Sequence, residues 1–529
     1  MGKLPTTTPT DCDVAIVGAG ASGMYLATLY AEAGKTVRVF EAGPAWQLQD
    51  LVSSQIWARR LKWGGGAVAR GGSHPMGHNM AMGWGLGGAA LHHYAGWPRL
   101  RPEDFELRSR FGRGLDWPFG YDELRPYYDR IQDEIGIAGD ADSEETRPPG
   151  APYPMPPIPG FTQSRVLARG FEKRGLKVSA APTAVNSVPY KGRAGCLYDG
   201  WCDAGCPIGA LANPLVLHYD RAIKAGVSFH TSSPVQQLHS DKSGRVTSLQ
   251  YLDENAAVQH CSASLFVLAG SSVQNARLML HSKSAAHRQG LGNQSGLLGR
   301  YFACHTLVTT YGIMDEPMDN HLGLSAGQHI SFSEYGKERK NGPFGSYFLG
   351  FGAALKPNDI LGIANTRPDL MGTDLHRFMQ DEGKRLTTIT AECENVAARD
   401  NQVRLDSSND SFGFPGAHIE HNLDEQALAL WEHARSTAED CMRASGAKQV
   451  WSTPMVTVHP MGGTIMGSDP AHSVTDGHGL VHDAGNLLVT GAGLFPSGGA
   501  VGPTFTIYAL TLRAAEHTLA QWGQLTQSS

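Results

Sequence analysis

The chain has 529 residues, of which 41% are hydrophobic and 18% charged, and its formal net charge is −6. These values describe a globular chain long enough for more than one domain. They offer no basic block to a nucleic acid, so no nucleic-acid partner is expected.

The 64 glycines are not periodic, so they mark tight turns and close backbone approaches rather than low complexity. Eight cysteines spread over this length do not make a disulfide framework. Residues 1–12 lack the apolar core of a signal peptide, and Met1-Gly2 with Thr6 matches an acylation pattern by chance. No uncharged apolar run of about 18 residues exists, so no direct membrane span is expected. The expected location is cytoplasmic, or periplasmic if the chain is exported with a partner subunit.

In chain order, DVAIV at 13–17 is a short apolar run, as a buried parallel strand would be. Gly18-Ala19-Gly20-Ala21-Ser22-Gly23 follows and opens a helix, and KTVRVFEAG forms a second strand ending in Glu41. This is a βαβ unit with G-x-G-x-x-G at its first turn. Gly18 allows the tight turn, Gly20 the approach of a pyrophosphate, and Gly23 the close packing of the helix. Glu41 stands 18 residues past Gly23, where a carboxylate accepts from ribose hydroxyls. The unit itself does not separate FAD from NAD, but its place at the N-terminus favours FAD.

Residues 84–96 form another glycine-rich turn, carrying His92 and His93. Residues 101–150 are polar and aromatic, then Pro-rich, and read as an ordered surface excursion rather than core. Helices are expected over 163–177 and 213–225, and strands through 227–268, where SLFVLAG repeats the character of the first strand. RLTTITAECEN, QVRLDSS and AHIEHNL predict a twisted antiparallel sheet within 304–420 with one face covered. Residues 423–446 read as one amphipathic helix ending at a glycine. Buried-strand, glycine-turn and helix patterns then return to the end of the chain. The nucleotide domain is thus expected in separate pieces, with a second domain inserted.

The residues now carry a family resemblance. GAGASG with Glu41, the GLGG turn at 85–88, HPMGGTIMG at 459–467 and HDAGNLLVTGAGLFPSGGAVGPTFTI at 482–507 resemble the glucose–methanol–choline (GMC) flavoprotein oxidoreductases. DFELRSRFGRGLDWPFGYDELRPYYDR at 104–130 is similar to the bacterial branch of gluconate, fructose and glucose dehydrogenases. The resemblance spans nearly the whole chain.

It implies a mixed α/β and α+β fold. A Rossmann-like FAD-binding domain would comprise 11–100, 165–303 and 455–525. A substrate domain on an antiparallel sheet would comprise 101–164 and 304–454. It also implies that Gly87, Gly88, His92, Val235, Gly491, Ala492, Pro503 and Thr504 contact FAD. The reaction implied is oxidation of a CH–OH group in a small-molecule sugar, polyol or cyclic alcohol, with electrons passed to an acceptor other than NAD.

Flavin oxidation of an alcohol needs a hydride acceptor and a base. His459 occupies the family's active-site histidine position, and histidine suits proton transfer near neutrality. The family's second polar residue, Asn or His, falls at Gly502, which has no side chain to offer. Three readings stay open. Another residue fills the role, with His305 a candidate; the space accommodates a bulky substrate; or efficient alcohol oxidation has been lost, leaving a lyase-like chemistry. An oxygen-using oxidase is the other alternative. His92 lies where some relatives bond FAD covalently, although a hydrogen-bonding or packing role is expected for it and for His93.

Cys196, Cys202 and Cys206 are spaced C-x5-C-x3-C and precede Pro207-Ile208-Gly209-Ala210. The spacing resembles that of relatives carrying a three-iron (3Fe-4S) cluster, and three thiolates suit such a cluster. Zinc lacks an evident fourth ligand. Packed thiols, and a redox disulfide, remain alternatives. A cluster would imply electron exit to a cytochrome or similar acceptor, with a small subunit as a further partner.

Overall fold

The computed structural model describes residues 11–66 and 68–526. The readings on export and acylation made from the first ten residues lie outside them. The cavity that matters to function lies between two seven-stranded sheets.

The first sheet runs in the order Ser228–His230, Val37–Phe40, Cys12–Val17, Val258–Leu268, Val246–Leu252, Val235–Ser240, with Leu487–Val489 also paired to Val258–Leu268. The long strand Val258–Leu268 joins two halves. Its first part pairs antiparallel with Val246–Leu252, and its last part pairs parallel with both Cys12–Val17 and Leu487–Val489. Val14, Ala15 and Ile16 are fully buried, which is why that strand reads as a continuous apolar run. The helix Ala21–Glu32 follows at once and packs so closely that a Cβ on Gly23 would stand 2.0 Å from the carbonyl oxygen of Gly18.

The second sheet has the order Gln449–Ser452, Ala303–Ile313, Leu386–Cys393, Tyr347–Phe351, His329–Ser331, Ser179–Ala180, with Val456–Met461 also on Ala303–Ile313. All these pairings are antiparallel. Strand alternation divides its faces. Val308, Leu349, Phe351, Ile389 and Ala391 pack under the helices Glu425–Ala444 and Thr162–Lys173. Leu307, Thr309, Phe348, Thr390 and Glu392 point the other way, into the cavity.

The structure departs from the sequence reading in two places. Gln402–Asn409 and Pro415–Glu420 do not join the large sheet; they form a three-stranded sheet with Ala69–Gly71. Residues 101–150 are not a surface excursion. Phe105, Trp117, Tyr121, Leu124, Tyr128 and Ile131 belong to the main core, and the helix Tyr121–Ile135 packs on Thr504–Ala520. Its apolar residues recur every three or four positions, an amphipathic pattern masked by the charges between them. Thr162–Lys173 and Ser179–Ala180 serve the second sheet, as does Val456–Met461, because their apolar or ladder partners lie there.

Candidate active site

One cavity of about 740 Å³ extends from the Gly18 turn to the exposed face of the second sheet. Its nucleotide end is made of backbone. Gly18, Gly20, Gly88 and Gly491 line it, and the first, third and fourth have positive φ angles of 99°, 52° and 95°. A Cβ on Gly20 would meet no atom within 4 Å, so that glycine opens onto free space at the start of the Ala21–Glu32 helix. That geometry fits a pyrophosphate approaching a helix N-terminus.

Glu41 crosses beneath this end. Its Oε2 accepts from the Ala19 N–H at 2.9 Å, and its Oε1 accepts from Gly43 and Gly85, each at 2.9 Å. Burial pushes its carboxyl up, against the pull of these N–H donors. Glu41 therefore ties three turns together as well as facing the cavity. Of the other residues implied for FAD, His92, Val235, Ala492, Pro503 and Thr504 line the same cavity. Gly23 and Gly87 do not; they stand behind it and shape the turns. The ring Nε2 of His92 is buried without a hydrogen-bond partner, and burial holds the ring's pKa down to about 4. The helix Thr504–Ala520 opens its N-terminus at the cavity wall.

His459 lies where the two ends meet. It sits at a break in the ladder between Val456–Met461 and Ala303–Ile313: Val458 pairs with His305, Met461 pairs with Ala303, and the register shifts between them. Pro460 has no N–H to give the ladder, and His459 takes a φ of +57°, an unusual conformation for a residue with a Cβ. The bulge turns the imidazole into the cavity, leaving its side chain 34% exposed.

Behind it stand His305 and Glu392. His305 Nδ1 is 3.0 Å from His459 Nδ1, with the ring planes at 86°. His305 Nε2 is 3.0 Å from the Gly499 carbonyl oxygen, which only accepts, so Nε2 carries a proton. A neutral His305 then has a bare Nδ1, His459 Nδ1 is the donor of the pair, and His459 Nε2 keeps its lone pair. Glu392 Oε1 lies 2.8 Å from His305 Nδ1 and 3.3 Å from His459 Nδ1. Burial alone would raise the Glu392 carboxyl, but His459 and His305 beside it outweigh burial and hold it well below the usual carboxylate range.

His305 is fully buried and does not line the cavity; it reaches the cavity only through its contact with His459. At Gly502 the space is genuine. A Cβ there would meet only the Gly96 carbonyl oxygen at 3.4 Å and His459 Cε1 at 4.0 Å. The sequence reading missed Glu392. Its neighbour in the cluster is 87 positions away in sequence, and only the pairing of Leu386–Cys393 with Ala303–Ile313 brings the two together.

Cys196, Cys202 and Cys206 gather in one small core with Ala95, Ile158, Val185, Leu211 and Leu324. None of the eight cysteines forms a disulfide. Tyr198 N–H donates to Cys196 Sγ at 3.3 Å and Leu211 N–H to Cys206 Sγ at 3.4 Å. Burial pushes the Cys196 thiol up to about 11 and Cys202 up to about 12, and raises Cys206. Ala95 and Ser325, which line the cavity, are the wall between it and this loop.

Comparison with known proteins agrees with this architecture. Residues 397–511 match the GMC oxidoreductase family, and residues 16–46 match an NAD(P)-binding Rossmann-like domain. The chain is 27% identical to the fructose dehydrogenase large subunit of Gluconobacter japonicus over 96% of this chain and 97% of that one. It is also 27% identical to the 2-methyl-1,2-propanediol dehydrogenase of Mycolicibacterium austroafricanum, over 97% and 96% of the two chains. The solved pyridoxine 4-oxidase from Mesorbium loti shares the fold, with a TM-score of 0.68, 17% identity, and coverage of 96% of this chain and 99% of that one. Over nearly its whole length the chain is similar to FAD-dependent oxidoreductases of the GMC family. Among the described residues no helix is long and apolar enough to cross a membrane.

Proposed function

We propose that the chain is an FAD-dependent dehydrogenase that oxidises a CH–OH group of a neutral sugar, polyol or other alcohol to a carbonyl, with His459 as the base. The observation carrying this reading is the placement of His459. Among the described residues its Nε2 makes no hydrogen bond, and it shares a cavity with the glycine turns that suit a dinucleotide, while its Nδ1 is held from behind. The bound FAD supplies the hydride acceptor. His459 Nε2 takes the hydroxyl proton, and the Glu392 carboxylate, 3.3 Å from His459 Nδ1, stabilises the imidazolium that results.

The lining supports a neutral substrate. Arg277 is the one Lys or Arg side chain on the cavity wall among the described residues, and Asp410 already pairs with it at 2.5 Å. No free cation awaits an acidic substrate. Thr309 and Thr390, whose hydroxyls lie 3.2 Å apart on the sheet face, offer hydrogen bonds to a polyol. The space beside Gly502 favours a branched or cyclic carbinol.

The cysteine loop is the proposed seat of a three-iron cluster, ligated by Cys196, Cys202 and Cys206, which would supply one-electron carriage. Two sulfurs already receive backbone N–H groups, and the loop abuts the cavity wall. The three Sγ atoms are not among the ligand groups that converge within 4.8 Å, so they do not suit one ion. Sulfurs bound to different irons stand further apart. Leu197 and Ile208, exposed on this loop, give an accepting protein an apolar footing.

The test is anaerobic flavin bleaching by a panel of neutral polyols, cyclic alcohols and aldonates, with iron per flavin measured in protein purified without air. Bleaching by neutral members and about three irons per flavin support the reading. Bleaching by aldonates alone overturns the substrate class, and iron-free protein overturns the cluster.

A further inference from the structure

The polar cluster behind His459 has more acceptors than protons. His305 Nδ1, His459 Nδ1 and Glu392 Oε1 stand 3.0, 2.8 and 3.3 Å apart. With His305 Nε2 donating to Gly499, a single proton on His459 Nδ1 faces two acceptors. Glu392 Oε1 is buried and accepts no well-aligned hydrogen bond, in a residue only 7% exposed. An orphaned carboxylate oxygen aimed between two imidazole nitrogens is costly unless something positive lies between them.

We propose that these three atoms form a binding site for one divalent transition-metal cation of the zinc type, whose occupancy switches the enzyme off. Three donors at such separations span one face of a coordination polyhedron with bonds of about 2.1 Å. Two imidazoles and a carboxylate form a donor set suited to zinc and its neighbours in the first transition row. His305 already makes the outer bond expected of a metal ligand, its remote N–H donating to a backbone carbonyl, which directs Nδ1 toward the site. The cavity gives the ion a path, because His459 is one-third exposed to it.

One other group of three converging donors occurs among the described residues: Asp476, His478 and His517. The Arg513 guanidinium acts on both of its imidazoles and would repel a cation. That group carries no proposal.

Metal on His459 Nδ1 requires the ring proton to move to Nε2. No electrons are exchanged. The Nε2 lone pair that would take the substrate's proton is then occupied, so metal-loaded enzyme cannot begin alcohol oxidation. This inhibitory consequence rests on His459 being the base; the binding site itself does not.

The experiment is equilibrium dialysis of FAD-loaded protein against Zn²⁺, in a His478→Ala background that removes the second cluster, with Glu392→Gln as the paired variant. Retained FAD content reports that the variant is folded. The expected result is one Zn²⁺ per chain, chelator-reversible loss of flavin reduction, and affinity in Glu392→Gln weakened by more than the roughly 10–100-fold that an outer-shell loss costs. Co²⁺ should give weak bands to the red of the flavin, absent in the variant. No binding, or equal binding by the variant, overturns the site while leaving the oxidation reading intact. Stoichiometric binding in a protein that no alcohol reduces would uphold the site and sink the oxidation reading.

Discussion

The two ends of the cavity are built on opposite plans. At the nucleotide end the backbone forms the site, and Gly18, Gly20, Gly88 and Gly491 leave space by lacking side chains. At the sheet end the side chains form the site, with Thr309, Phe348, Thr390, Glu392 and His459 projecting from four strands. With a dinucleotide bound as proposed, the first end would tolerate almost no addition, because phosphates there would have to reach main-chain N–H groups. The second end can be retuned one side chain at a time, as expected where specificity resides. Damage at the nucleotide end should be all or none, and damage at the sheet end should be graded.

The largest expected effect tests the first half of that contrast. Gly20→Val meets no protein atom through its Cβ, so the chain should fold yet emerge without FAD, as read by its visible spectrum and melting curve. Gly23→Ala should instead lower the melting temperature of the apoprotein too, because its Cβ would strike the Gly18 carbonyl. Equal FAD content in Gly20→Val and the parent would break the comparison.

Glu392→Gln comes next. FAD content should be unchanged, while flavin reduction slows about 100-fold as His459 loses its anchor. The substrate KM should move little, and Glu392→Asp should recover part of the rate. A loss confined to KM would make Glu392 a substrate contact instead. A smaller, selective effect is expected of Gly502→Asn. It fills the space beside His459 Cε1, raising the KM for cyclic alcohols several-fold over that for short linear ones. An equal shift for both classes would deny that the gap admits bulk.

The smallest effect is on stability. Burial holds the His218 ring down to about 3, and among the described residues neither ring nitrogen makes a hydrogen bond. In the unfolded chain such a ring titrates near about 6.5. Its contribution is therefore intact above that pH and is lost as pH falls toward 3, since over that window only the unfolded chain takes up the proton. His218→Phe should flatten the acid side of the melting-temperature profile by one proton's worth. An unchanged slope would contradict it.

The same contrast separates what local sequence encodes from what only the fold assembles. The Gly18 turn, Glu41 and the Gly491 turn are local, because a phosphate cradle imposes its spacing on consecutive residues, and all of them line or border the cavity. His459 was accessible through its motif, but its partners were not. Glu392 is one carboxylate in an alternating strand, and its relation to His305 and His459 depends on ladder register, which local sequence does not encode. The aromatic helix Tyr121–Ile135 was misread for a related reason: the charges between its buried positions hid the apolar stripe.

The central claim is that His459 removes the substrate's proton at the junction of the two ends. Single-turnover anaerobic reduction of the flavin by a neutral alcohol, compared between the parent and His459→Ala at equal FAD content, tests it most directly. The account predicts a rate lowered by about 10²–10⁴-fold, the usual span for a general base, with FAD still bound. An undiminished rate would remove His459 from the chemistry.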